Sequence, residues 1–111
     1  MNAIVFLIIA IASEITATTA LKLSEGFTRW LPGLVSIIGY GIAFYALSMA
    51  LRGLPLGIAY AIWSAVGTVG AVVLGILIWK QPISPLGIFG IALIVVGVVL
   101  LNVVSNGARA A

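Results

Sequence analysis

Cysteine and histidine are both missing from this chain, and its 111 residues carry two acidic side chains, Glu14 and Glu25, against five basic ones. Without cysteine there are no disulfides and no thiol chemistry, and without histidine there is no imidazole catalysis. Metal binding loses its usual nitrogen and sulfur ligands for the same reason, so no metal and no cofactor are expected. Charge of either sign is scarce, at 6% of residues, where a soluble domain has roughly 25%. A water-facing surface cannot be covered with so few polar groups. The five basic residues are dispersed and form no patch able to track a phosphate backbone, so no nucleic acid partner is expected. The N-terminus has no basic region or cleavage site, and a cleaved signal peptide is a poor reading of it.

What the chain has instead is apolar length. It is 64% hydrophobic with a mean hydropathy of +1.38, which makes it an integral membrane protein. About 20 apolar residues span the hydrocarbon core as a helix, and four runs qualify, near 3–21, 32–51, 56–79 and 85–104. Pro32, Pro55, Pro82 and Pro85 fall just before or at the start of a span, where proline's missing N–H costs nothing. Ser84 reads as the N-cap of the last helix, and Asn106–Ala111 as a frayed tail. The connections Lys22–Leu31, Arg52–Leu54 and Lys80–Ser84 are short, so successive helices run antiparallel. No linker or composition shift interrupts the chain, and one four-helix transmembrane domain over 1–111 is expected.

Four spans put both termini on one side of the membrane. Arg52 and Arg109 lie on that side, and Lys22, Arg29 and Lys80 on the other. Orientation follows the Lys/Arg imbalance, and two against three is almost none. This predicts insertion in both orientations and makes an antiparallel homodimer possible; a weakly biased protein with one fixed topology is the alternative.

Glu14 is the one acidic residue inside a long hydrophobic segment. An ionisable group at membrane depth is costly, and is a functional-site hypothesis for that reason. Its helical face includes Ala10, Ala17 and Thr18, small residues that leave room for a bulky group beside the carboxylate or permit close helix packing. Ser13 and Thr16 to Thr19 can instead bond back to their own helix. Trp30 and Trp79, at span ends, fit the aromatic belt of the headgroup region. Tyr40 and Trp63 do not, since each lies well inside its span. Tyr40 pairs with Phe44 at i, i+4, and Tyr60 with Trp63 at i, i+3, on a face with Ser64. Such faces suit an organic cation through cation–π attraction, worth about 0.5–2 kcal/mol per contact, or else serve ordinary core packing. Span three also holds Ala65-Val66-Gly67, either a close-packing segment or a hinge. In span four, Gly90, Leu93, Ile94, Gly97 and Val98 form a small-residue stripe suited to contact with the same helix of a second chain.

Glu14 lies about two residues, or about 3 Å, from the middle of its span. In an antiparallel dimer two such acids meet near the midplane, where transporters commonly bind substrate. Burial and a like charge both disfavour the ionised form of a carboxyl group, so the pair can be neutralised by protons or by a cation. Competition between the two for the same acids is sufficient for exchange, provided the empty, deprotonated dimer switches sides slowly.

The chain resembles the small multidrug resistance transporters over essentially its whole length. The matching segments are Glu14 in its small-residue context, Lys22 to Arg29, Gly57-Ile-Ala-Tyr-Ala-Ile-Trp-Ser-Ala-Val-Gly67, and the stripe from Gly90 to Val98. The resemblance implies an antiparallel, dual-topology homodimer in a bacterial or archaeal cytoplasmic membrane, a transporter and not an enzyme, exchanging protons for cationic substrates. It implies that Glu14 binds proton and substrate, that Tyr40, Tyr60 and Trp63 line the site, that Ala65-Val66-Gly67 is the hinge, and that the span-four stripe is the dimer contact. Tyr40 and Ala17-Thr18-Thr19 resemble the branch exporting quaternary ammonium compounds and other hydrophobic aromatic cations. A guanidinium exporter of the same family is the alternative, and a non-transporting membrane assembly subunit a third reading. Many family members carry serine where this chain has Ala43, which removes one partner of the charged glutamate.

Overall fold

A computed structural model describes residues 2–110, with side chains through residue 104. Four helices follow in order: α1 (Ala3–Leu23), α2 (Trp30–Ala50), α3 (Leu56–Trp79) and α4 (Pro85–Ala110). All four contain a stretch long and apolar enough to cross a membrane, which in α4 is Pro85–Val104. By contacts the chain divides into two compact units, Met1–Leu54 and Pro55–Ala111.

The first unit is a hairpin in which α1 packs along α2. Small residues recur every seven positions on each helix, Ala10, Ala17 and Ser24 on one side and Ser36, Ala43 and Ala50 on the other, and all six are fully buried. A seven-residue repeat keeps one stripe of a helix facing its neighbour over several turns. Alanine and serine in that stripe let the two backbones approach closely, which is how helices associate where lipid removes the hydrophobic drive. The approach is tightest at Gly39, where a Cβ would sit 2.8 Å from Ala17 Cβ and 3.4 Å from the Ser13 carbonyl oxygen. At the open end of the hairpin, Gly53 makes the same allowance for Ala3 Cβ, 2.9 Å from the position a Cβ would take.

Helix ends are set by specific groups. Asn2 accepts from the Ile4 N–H at 2.9 Å and starts α1. Ser24 ends it: its buried hydroxyl donates to the Leu21 carbonyl at 2.6 Å and accepts from the Phe27 N–H at 3.1 Å. The Ser24 carbonyl then accepts from the Arg29 N–H at 3.0 Å and the Thr28 hydroxyl at 3.2 Å. These bonds hold Glu25, Gly26 and Phe27 in consecutive left-handed conformations, φ 50°, 73° and 66°, which non-glycine residues adopt at a cost. Because the helix closes at Ser24, α1 runs to Leu23 and not 21, and its middle residue is Ser13. Glu14 is therefore one residue from the centre, about 1.5 Å along the axis. Likewise α2 begins at Trp30, ahead of Pro32, because a proline within the first turn forfeits no intrahelical bond.

In the second unit α3 packs against α4 less extensively than α1 packs against α2. Lys80 (φ 54°) turns the chain out of α3, so that its N–H and that of Gln81 both donate to the Gly75 carbonyl. Ser84 caps α4 as its place before Pro85 predicts, accepting from the Gly87 N–H at 3.1 Å. The helix then continues to Ala110, where a frayed tail from Asn106 was expected; Ala111 lies outside the described residues.

Candidate functional site

Glu14 is half-buried on α1, and its carboxylate is not alone. The Thr18 hydroxyl, one turn on, donates to Glu14 Oε1 at 2.7 Å. The same Thr18 oxygen lies 2.7 Å from the Tyr40 hydroxyl of α2. A threonine has one hydroxyl hydrogen. Given to the carboxylate, it leaves only lone pairs for Tyr40, so with Glu14 ionised the chain of donors runs Tyr40 to Thr18 to Glu14. Hydrogen bonds to an ionised acceptor are the stronger kind, and the bond from Thr18 to the carboxylate is of that kind.

The local sequence explains why α2 can deliver that hydroxyl. Gly39 precedes Tyr40 and Ala17 precedes Thr18, and Gly39 and Ala17 meet so closely that a Cβ on the glycine would clash. Without that contact a tyrosine 22 residues away could not reach the first helix. The neighbouring hydroxyls behave as isolated helices would have them, since Thr16 donates to the Ala12 carbonyl at 2.9 Å and Thr19 to that of Ile15 at 2.8 Å. Thr18 differs because a carboxylate stands one turn before it. Ala43 is fully buried in the α1–α2 seam, and Thr18 supplies Glu14 with a hydroxyl that a serine at that place was expected to give. Sequence reasoning picked Thr18 for its size and Tyr40 for its ring; the polar role of both, and Gly39 altogether, escaped it. The signal was present in the adjacent small–polar pairs Ala17-Thr18 and Gly39-Tyr40.

The first unit thus brings together Glu14, Ala10, Ala17, Thr18, Tyr40 and Phe44. Ala10 and Ala17 are fully buried, and the Tyr40 and Phe44 rings stack at 6.2 Å with 21° between planes. The remaining candidates lie on α3 and α4. Tyr60 and Trp63 share a face, rings 6.3 Å apart and tilted by 55°, with Tyr60 and Ser64 exposed and Trp63 half-buried. Ala65, Val66 and Gly67 lie within the uninterrupted helix α3, Ala65 buried and Val66 exposed. No residue of the α4 span is buried, and its stripe is open: Leu93 and Ile94 are exposed, and a Cβ at Gly90 or Gly97 would meet nothing within 4 Å. Among the described residues no three potential metal ligands lie together.

Four apolar helices, with one carboxylate near the centre of the first bonded to a hydroxyl of its own helix that in turn meets one from the second, define a multi-pass cell membrane protein with an acid at depth. Residues 2–94 match the family model of the Small Multidrug Resistance protein, and the chain belongs to that family. It is 50% identical to the quaternary ammonium compound-resistance protein QacE of Escherichia coli over 106 residues, 96% of either chain. It is 46% identical over 98 residues to the multidrug resistance protein EbrA of Bacillus subtilis (strain 168), 88% of this chain and 93% of the relative. A putative ethidium bromide resistance protein of Salmonella typhimurium is 47% identical over 100 residues, 90% of this chain and 87% of the relative.

Proposed function

We propose that this chain exports hydrophobic organic cations, among them quaternary ammonium compounds and toxic aromatic cations, in exchange for protons. The observation that carries the reading is the Glu14–Thr18–Tyr40 chain about 1.5 Å from the middle of a membrane-spanning helix. A carboxylate there can be neutralised by a proton or by a cation but not by both. Loss of the proton readies the site for substrate, and arrival of a proton releases it. The stacked Tyr40 and Phe44 rings offer π-faces beside the acid, which suits a cation whose charge is wrapped in apolar groups. The names of the relatives, quaternary ammonium, multidrug and ethidium resistance, point to the same substrate class.

The working unit in this reading is an antiparallel, dual-topology homodimer. The nearly even Lys/Arg distribution supports it, as does the open stripe Gly90, Leu93, Ile94, Gly97 and Val98 of α4. Two Glu14 side chains then share one chamber, with Tyr60, Trp63 and Ser64 contributing from α3. Alternating access follows if the two chains take unequal shapes and exchange them, bending at Ala65-Val66-Gly67. Purified protein in proteoliposomes under an imposed pH gradient tests this. Uptake of a quaternary ammonium compound driven by the proton gradient, and its loss in Glu14→Gln with assembly retained, is the expected result. Transport of guanidinium alone moves the chain to the other branch of the family, and transport of neither ends the transporter reading.

A further inference from the structure

At the closed end of the α1–α2 hairpin lies an open groove of about 570 Å³, formed wholly within the first unit. Its wall is apolar, with Ala20 and Leu23 from α1 and Pro32 and Val35 from α2, and its rim carries Arg29 and Trp30. Trp30 is 75% exposed, as a residue of the aromatic belt would be at the headgroup level. The Arg29 side chain is exposed, and its hydrogen bond to the Leu23 carbonyl is a long one, 3.5 Å from Nη1. A guanidinium is therefore available above a greasy slot that runs down the hairpin toward the membrane interior.

We propose that this groove binds one anionic phospholipid, its phosphate on Arg29 and an acyl chain along Ala20, Leu23 and Val35. Three features select that occupant. The charge requires an anion, and the fork of a guanidinium matches a phosphate's paired oxygens. Thr28 also lines the groove, but its hydroxyl is given to the Ser24 and Glu25 carbonyls; the other lining side chains are apolar apart from Arg29 and the Trp30 indole, so a free phosphate would leave most of the slot unfilled. The height is that of a headgroup: Arg52 edges a second groove, with Ala3 and Phe6, at the opposite end of the same hairpin, and a helix of 21 residues separates the two arginine levels by about 31 Å, the thickness of a bilayer's hydrocarbon core. Such a lipid would brace the strained Glu25–Phe27 turn from outside without entering the Glu14 site.

Brominated phospholipids, which quench tryptophan on contact, test the assignment. Trp30 fluorescence is isolated by changing Trp63 and Trp79 to phenylalanine, and the protein is reconstituted into phosphatidylcholine vesicles containing brominated phosphatidylglycerol or brominated phosphatidylcholine at equal mole fraction. The anionic lipid should occupy the site roughly fivefold in excess of its share, the preference expected for one arginine at the surface. The preference should vanish in Arg29→Gln, persist in Arg29→Lys, and persist in Arg52→Gln, which deletes the same charge at the hairpin's other end. A readout without tryptophan changes is the phosphatidylglycerol carried through purification by the otherwise unaltered chain, which native mass spectrometry should find reduced by one molecule per chain in Arg29→Gln. Equal quenching by both lipids overturns the proposal, as does a preference that survives Arg29→Gln. Absence of quenching by either lipid overturns it too, and assigns the groove to a second copy of the chain.

Discussion

Replacing Gly39 by alanine tests whether close approach of α1 and α2 is what builds the Glu14 site. The new Cβ would stand 2.8 Å from Ala17 Cβ, where ordinary contact begins at 3.4 Å. The neighbour is a stiff methyl on a helix backbone, 3.2 Å away at Cα, so the helices must separate by about 0.6 Å. Added to the 2.7 Å between Thr18 and Tyr40, that opens the bond to about 3.3 Å, beyond the range of a good O–H···O contact. Overpacking of this kind costs roughly 1–3 kcal/mol, partly offset by the ~1 kcal/mol that alanine gains over glycine in a helix. The variant should therefore fold and assemble while losing the bond between helices. Losing one such bond weakens cation binding by about 0.5–1.5 kcal/mol, or roughly 2- to 12-fold, read by calorimetric titration with a quaternary ammonium probe at fixed pH. Tyr40→Phe removes the same bond from the other side, so the double variant should be no weaker than the worse single one. Gly41→Ala is the control, since a Cβ there meets nothing within 4 Å. Unchanged affinity in Gly39→Ala, or effects that add with Tyr40→Phe, would refute the reasoning.

Glu14→Asp withdraws the carboxylate by one methylene, about 1.5 Å; it should keep an acid in the membrane but lose the 2.7 Å contact with Thr18, and transport assays should show weaker substrate binding with proton coupling retained. Gly97→Leu adds a side chain on the open α4 stripe. It should leave the helical content of the chain unchanged while raising the dissociation constant of the proposed dimer by roughly 5- to 160-fold, from the roughly 1–3 kcal/mol of an overpacked contact, as measured by energy transfer between labelled chains in vesicles. Ser24→Ala removes the hydroxyl that accepts from the Phe27 N–H, and a thermal melt should show a loss of about 1 kcal/mol.

Much of this architecture could be read from the chain because a membrane imposes simple rules. Four apolar runs had to be helices, and a single acid within them had to be noticed. The α1–α2 seam was harder to see. Alanine and serine at Ala10, Ala17, Ser24, Ser36, Ala43 and Ala50 are small and only weakly hydrophobic or polar, so they barely register in a search for hydrophobic faces, although their spacing of seven is regular. The Thr18–Tyr40 bond depends on a backbone distance set by Gly39, and no residue pattern states a distance. The end of α1 was misplaced because Ser24 reads as a loop residue, whereas its hydroxyl closes the helix and pins three left-handed residues after it.

The hydrogen-bond chain has two possible directions, and Glu14 decides between them. Ionised, the acid can only accept, which obliges Thr18 to donate to it and Tyr40 to donate to Thr18. Protonated, the acid can donate to Thr18, whose own hydrogen is then free to turn toward Tyr40. Both hydrogen bonds of the chain persist in either state, so the proton can come and go without breaking the link between Glu14 and Tyr40. The Tyr40 hydroxyl changes from donor to acceptor as a result, on a ring that stacks with Phe44. The ¹³C resonance of the Tyr40 ring carbon bearing that hydroxyl should shift as protein in bilayers is titrated, and the shift should follow the proton occupancy of Glu14. In Thr18→Val the methyl keeps the shape but the relay is cut, and the Tyr40 signal should lose this titration while that of Glu14 keeps it. A Tyr40 response that persists without the Thr18 hydroxyl would mean that the two residues sense each other through space, and that the bonded chain carries no signal.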